Sequence, residues 1–186
     1  MKRLFDLFLA VILCSLLAVP AILIALLVRL TSPGPIIYWS TRVGKNNIPF
    51  PMPKFRTMLT HTPVVPTHLL NNPDQFLTPI GSFLRKSSLD EIPQLWCILK
   101  GDMSFVGPRP SLPSQTDLNT ARTQANIHLL VPGLTGWAQV NGRDEIPNEQ
   151  KVAYDAEYLQ HQSFLFDLKI ICLTAWKVVK RDGVVH

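Results

Sequence analysis

From Leu7 to Val28 the chain runs for 22 residues without a charge. As a straight helix that run would measure roughly 33 Å, about the thickness of a bilayer's hydrocarbon layer. Pro20 interrupts it: with no N–H to donate, it leaves the carbonyl of Leu16 unpaired and favours a kink. The two arms would be roughly 20 Å and 12 Å long, and neither crosses a membrane alone. Two arrangements are open. One is a re-entrant anchor over residues 1–30, helix, break at Pro20, helix, that returns to the side it entered. The other is an ordinary spanning helix with a tolerated proline. Basic residues flank both ends, Lys2 and Arg3 before it and Arg29, Arg42 and Lys45 after it. Charge bias therefore gives little orientation and mildly favours re-entry. A cleaved signal peptide fits poorly, because the run is long, Asp6 abuts it and no small-x-small site comes after it.

Residues 31–186 read as one body, mainly α with a few short strands (α+β). "TSPGP" (31–35) is a turn, and "IIYW" after it has strand character. Gly44-Lys45-Asn46-Asn47 predicts a turn, and Pro49, Pro51 and Pro53 confine residues 49–53 to a strand edge or extended loop. Residues 60–79 read as loop with one short helix. The spacing then predicts a short helix over 80–84 and a second over 88–99, stopped at Gly101. "FVGPRP" is a rigid loop, 114–131 has room for a helix, and "WAQV" (137–140) looks strand-like. Helical spacing returns over 149–160 and 164–180. In the last helix Leu165, Leu168, Cys172, Ala175 and Val179 make one apolar stripe, with Lys169, Lys177, Lys180 and Arg181 off it. That stripe suits either the core or an anionic membrane surface.

A net charge of +5 and a pI near 9.3 suit an anionic partner: nucleic acid, a phosphorylated substrate or an acidic membrane. Scattered aromatics and no recognition motif leave nothing that favours nucleic acid. Cys14, Cys97 and Cys172 are odd in number and far apart, without metal-ligand spacing, which fits a reducing compartment.

Three features could support chemistry. Ser88-Leu89-Asp90-Glu91 matches a helix capping box, which by itself accounts for both carboxylates. An aspartate at a helix start also stays ionised next to a site that attracts phosphate, which suggests attack on phosphorus. In "GPRP", two prolines fix the backbone around Arg109, whose planar guanidinium can grip a phosphate or pair with Asp90 or Asp102. Arg85, five residues before Asp90, could join that cluster. Asp155 lies one turn after Lys151, so a surface salt bridge competes with a metal-binding role.

In order along the chain, the broken apolar N-terminus, "KFRTM", "SLDEIPQL", "LKGDMSFVGPRP", "PGLTGWAQVNGR" and "FLFDLKI" resemble the bacterial sugar transferases that are small monotopic phosphoglycosyl transferases. The resemblance runs from about Lys2 to Gly183. It implies transfer of a sugar-1-phosphate from a UDP-sugar to polyprenyl (undecaprenyl) phosphate, with Mg²⁺, release of UMP and a phospholipid-embedded anchor. It places the enzyme at the cytoplasmic face of the bacterial inner membrane and is compatible with a homo-oligomer. Carried over residue by residue, it implies Asp90 as nucleophile on the sugar-bearing phosphorus and Glu91 as its partner. Arg109, Arg85, Lys54 and Arg143 would bind phosphate. Asp90 and Asp155 would serve the metal, and Pro20 would mark the membrane break. Val19 stands where the family has serine, and Cys97 where relatives often carry asparagine. Two other readings stay open: a hydrolase that passes a phospho-aspartate to water, and a non-catalytic membrane scaffold. The sugar is not named by the sequence, and 60–79 and 112–131 are left by elimination as places for specificity.

Overall fold

The computed structural model describes residues 1–63, 72–142 and 146–180. Among the described residues, seven α-helices and four short strands run in the order α1 (Lys2–Thr31), β1 (Ile37–Val43), β2 (Pro49–Phe55), α2 (Gly81–Ser87), α3 (Leu95–Lys100), β3 (Ser104–Val106), α4 (Thr116–Gln124), β4 (Gly133–Thr135), α5 (Trp137–Val140), α6 (Asn148–His161) and α7 (Phe164–Lys180). The mainly α reading holds. β1 and β2 form an antiparallel ribbon with Lys54 opposite Tyr38, and β3 pairs in parallel with β4. In a two-stranded ribbon each strand is an edge, which is why β2 tolerates three prolines at alternate positions. The other face of β2 carries Phe50, Met52 and Lys54. The first two are buried, and Lys54 extends the same face into a cluster of charged side chains.

Helix α1 keeps helical conformation through Pro20 for all 30 residues, so the expected helix-break-helix is one helix. The lost hydrogen bond is offset by packing on the far side of the proline, where Ile24 and Val28 meet Phe55 and Leu84. One stripe of α1 lies on the body along its length. Asp6, Ala10, Ile24 and Val28 are buried, with Leu13, Leu17, Ala21 and Ala25 half-buried between them. The other stripe, including Leu4, Phe8, Leu16, Val19, Ile22 and Leu30, is exposed. Polar contacts fix the first turns. Lys2 Nζ is 2.7 Å from Asp167 Oδ2, Arg3 donates to the carbonyls of Ile98 and Leu99, and Asp6 accepts from Ser104 Oγ (2.9 Å) and Phe105 N (3.2 Å). At the other end the buried Arg56 donates to the carbonyls of Ser32, Pro33 and Pro35. Arg56 thus locks the "TSPGP" turn that leads from α1 into β1.

Three local expectations are corrected. The helix expected over 88–99 is split into a 3₁₀ turn, Leu89–Gln94, and α3, because Pro93 cannot donate and Ser88 takes φ +57° as the C-cap of α2. No capping box forms, since the Ser88 side chain makes no cap hydrogen bond. "WAQV" is one turn of helix rather than strand. Ala138 and Val140 are buried as alternation predicts, but four residues are too few for period to separate the two. In α7 the side packed on the body carries Asp167, Ile170, Ile171 and Thr174, while Leu165, Cys172 and Ala175 face outward. The apolar stripe is therefore not core-facing.

Candidate active site

Two pieces of backbone bring the charges together. The 3₁₀ turn Leu89–Gln94 packs against β2, setting Asp90 and Glu91 beside Lys54. Lys54 Nζ lies 2.7 Å from Glu91 Oε1 and 3.7 Å from Asp90 Oδ2. Arg109 Nη1 reaches the same Glu91 oxygen at 3.9 Å. Arg85 donates through Nε to Thr57 Oγ1 (3.1 Å), and its charge acts on Asp90. Asp90 itself is 7% exposed. Burial pushes its pKa above the ordinary carboxylate value, with Lys54 opposing that, the Glu91 charge adding to it and Arg85 opposing it. A backbone hydrogen bond also favours the ionised form of Asp90, with a smaller effect than Lys54 or Arg85.

The Pro-Arg-Pro loop is held from both sides. Gly107 N donates to Thr135 O and Gly133 N to Pro108 O, both at 2.9 Å. A Cβ on Gly107 would stand 2.3 Å from the carbonyl oxygen of Val131, so the close approach of the two backbones requires glycine there. From the other side Arg122 Nη1 donates to Arg109 O (2.8 Å), while Nε and Nη2 donate to Asp155 Oδ2 at 3.0 and 2.6 Å. Asp155 therefore forms neither the expected surface bridge to Lys151 nor a joint group with the dyad. Its carboxylate is buried against Arg122. Among the described residues there is no cluster of three or more His, Cys, Asp or Glu that could hold a metal.

Of the residues expected from the sequence, Asp90, Glu91, Lys54 and Arg109 form one contact cluster, and Arg85 reaches it electrostatically. Asp155 supports the loop from behind, Pro20 lies in α1, and Arg143 falls outside the described residues. Asp102 pairs with Lys100 rather than with Arg109. Cys97 only packs: it is buried, its thiol contacts Pro51 O, and burial, then Asp102, pushes it up to about 11. The sequence reading missed Arg122, Arg42 and Gln94 as site residues. Arg42 donates to Ser40 Oγ and the Pro110 carbonyl, and lines a groove with Gln94, Glu91 and Arg109. Only Gln94 had a local signal, its place inside "DEIPQL".

A buried aspartate and a half-buried glutamate, contacted by lysine and arginine beside a preorganised arginine loop, suit a phosphorylated substrate. The chain belongs to the bacterial sugar transferase family, whose sequence profile it matches over residues 1–181. It is 44% identical to the uncharacterized sugar transferase EpsL of Bacillus subtilis, over 99% of this chain and 90% of that protein. It is 39% identical to the UDP-glucose:undecaprenyl-phosphate glucose-1-phosphate transferase of Escherichia coli, over 95% of this chain but 40% of that protein. A protein with the same name from Caulobacter vibrioides is 38% identical over 98% of this chain and 71% of its own length. The chain thus spans less than half of the Escherichia coli relative and most of the other two.

Proposed function

We propose that this enzyme transfers a sugar-1-phosphate from a UDP-sugar to undecaprenyl phosphate, as the names of its relatives describe for theirs. The observation that bears most weight is the setting of Asp90, a buried carboxylate between Lys54 and Arg85 with Glu91 and Arg109 adjoining. An Asp90 oxygen attacks the sugar-bearing phosphorus. The bond from that phosphorus to the bridging oxygen breaks, and UMP leaves with the bridging oxygen. A lipid phosphate oxygen then attacks the phospho-aspartate and restores the carboxylate, leaving a lipid-linked diphosphosugar. Splitting transfer into two displacements lets a soluble donor and a lipid acceptor use one site in turn. Lys54 and Arg109 offset the repulsion between carboxylates and diphosphate.

Mg²⁺ fits this donor set. It takes one or two carboxylates and completes its shell with substrate phosphate oxygens and water. Asp90 and Glu91 would supply those carboxylates, and the ion would screen the charge of the diphosphate. The exposed apolar stripes of α1 and α7 would meet lipid, with the body at the cytoplasmic face where nucleotide sugars are found. The test is UMP release from a panel of UDP-sugars with Mg²⁺ and undecaprenyl phosphate, in nanodiscs. Release that needs both the lipid and Asp90 supports transfer. Release without lipid would identify a hydrolase, and no release with any sugar by a folded protein would point to a scaffold.

A further inference from the structure

Gln94 ends the same 3₁₀ turn that presents Asp90 and Glu91. Its side chain is 3% exposed, and among the described residues nothing accepts a hydrogen bond from its Nε2. Buried donors in folded proteins are nearly always paired, so an amide of this kind at a site points to an acceptor brought by a ligand. The side chain lines a small groove together with Arg42, Met52, Glu91, Arg109 and Leu134. Arg42 is tied to Ser40 Oγ on its own strand and to the Pro110 carbonyl of the arginine loop, which fixes its guanidinium at this groove. Two guanidiniums and an amide N–H beside the reacting carboxylates make a lining for phosphoryl oxygens.

We propose that Gln94 and Arg42 form a subsite for the phosphoryl group that is not transferred, bound through its non-bridging oxygens. This rests on the proposed transfer reaction. The same chemistry has two sources: the nucleotide phosphate that leaves in the first displacement, and the lipid phosphate that attacks in the second. Both displacements are in line at one phosphorus, so the leaving and the attacking oxygen take the same side opposite Asp90. One subsite then serves both groups in turn. Gln94 supplies a neutral donor there, which holds either phosphate without trapping it as a further cation would.

The test measures binding of UMP and of farnesyl phosphate to the full chain in nanodiscs, with uridine as a phosphate-free control. Gln94→Leu should weaken both phosphates about tenfold, the loss of one hydrogen bond to a charged group. Gln94→Glu, which keeps the shape and places a carboxylate against phosphate, should weaken them further, with uridine binding unchanged. Thermal melts check folding, and Arg42→Met on the groove's rim tests the subsite if neither Gln94 variant folds. Loss for only one of the two phosphates would support the subsite and identify its occupant. Wild-type affinity for both phosphates in folded variants would overturn the proposal while leaving the transfer reaction intact. A wild type that binds neither probe would overturn both.

Discussion

Asp90 is held in a place that penalises its charge, and that is useful for a nucleophile. Its pKa is raised in the fold above the ordinary 3.8, by burial first. The folded protein therefore binds this proton more tightly than the unfolded chain does. The associated stability is fully present below the unfolded pKa and is lost as pH rises through the folded one. At neutral pH the ionised carboxylate is a net cost, so Asp90→Asn should raise the melting temperature, by on the order of 1 kcal/mol of stability. The same change should cut UMP release by about a thousandfold or more. A variant that melts lower while keeping activity would contradict both expectations. Lys54 acts on the same proton. It is the largest influence lowering the Asp90 pKa, so Lys54→Met should move the acid limb of the rate–pH profile to higher pH. An unmoved limb with a reduced plateau would mean that Lys54 only binds substrate.

At the scale of elements, the site depends on three backbone pieces meeting: strand β2, the 3₁₀ turn before α3, and the Pro-Arg-Pro loop. The last is steadied from one side by Arg122, whose guanidinium spans the Asp155 carboxylate and the Arg109 carbonyl. Arg122→Met leaves Asp155 buried and unpaired, which should cost about 3–5 kcal/mol of stability by chemical denaturation. The double change Arg122→Met with Asp155→Leu should recover much of that stability without restoring the hold on the Arg109 loop, so activity should stay low. Recovery of both would reduce the pair to packing. The sequence made the hairpin legible, because Gly44 to Asn47 and the alternating prolines have local consequences. The dyad and Arg109 were legible through the motifs that carry the family resemblance, "SLDEIPQL" and "LKGDMSFVGPRP". Arg122 was illegible: its partners lie 33 and 13 positions away, and one is a backbone carbonyl that no side-chain pattern announces. Ser88 misled for the opposite reason. A local capping signal was outweighed by its left-handed conformation at the end of α2 and by Pro93.

Over the whole molecule, the proposed function asks a 30-residue apolar helix and a charged body to share one membrane. At 1.5 Å per residue α1 is about 45 Å long, more than a bilayer's hydrocarbon thickness, and by length and composition alone it could cross. Its contacts argue otherwise. Lys2, Arg3 and Asp6 are engaged by Asp167, α3 and β3, and the turn after Thr31 is engaged by Arg56. To span, the first turns would have to leave these partners, stranding Asp6, breaking the ion pair of Asp167 and carrying two cations across the lipid. Both ends of α1 should therefore lie on the face that holds the body, with the exposed stripe of the helix turned toward lipid. One protease-cleavable epitope tag before Met1 and a second in the turn at Lys45–Asn47 test this in inverted and right-side-out membrane vesicles. Both tags should be cleaved in inverted vesicles and protected in the others. Cleavage of the two tags from opposite faces would make α1 a spanning helix and would require the contacts of Lys2, Arg3 and Asp6 to be broken in the membrane.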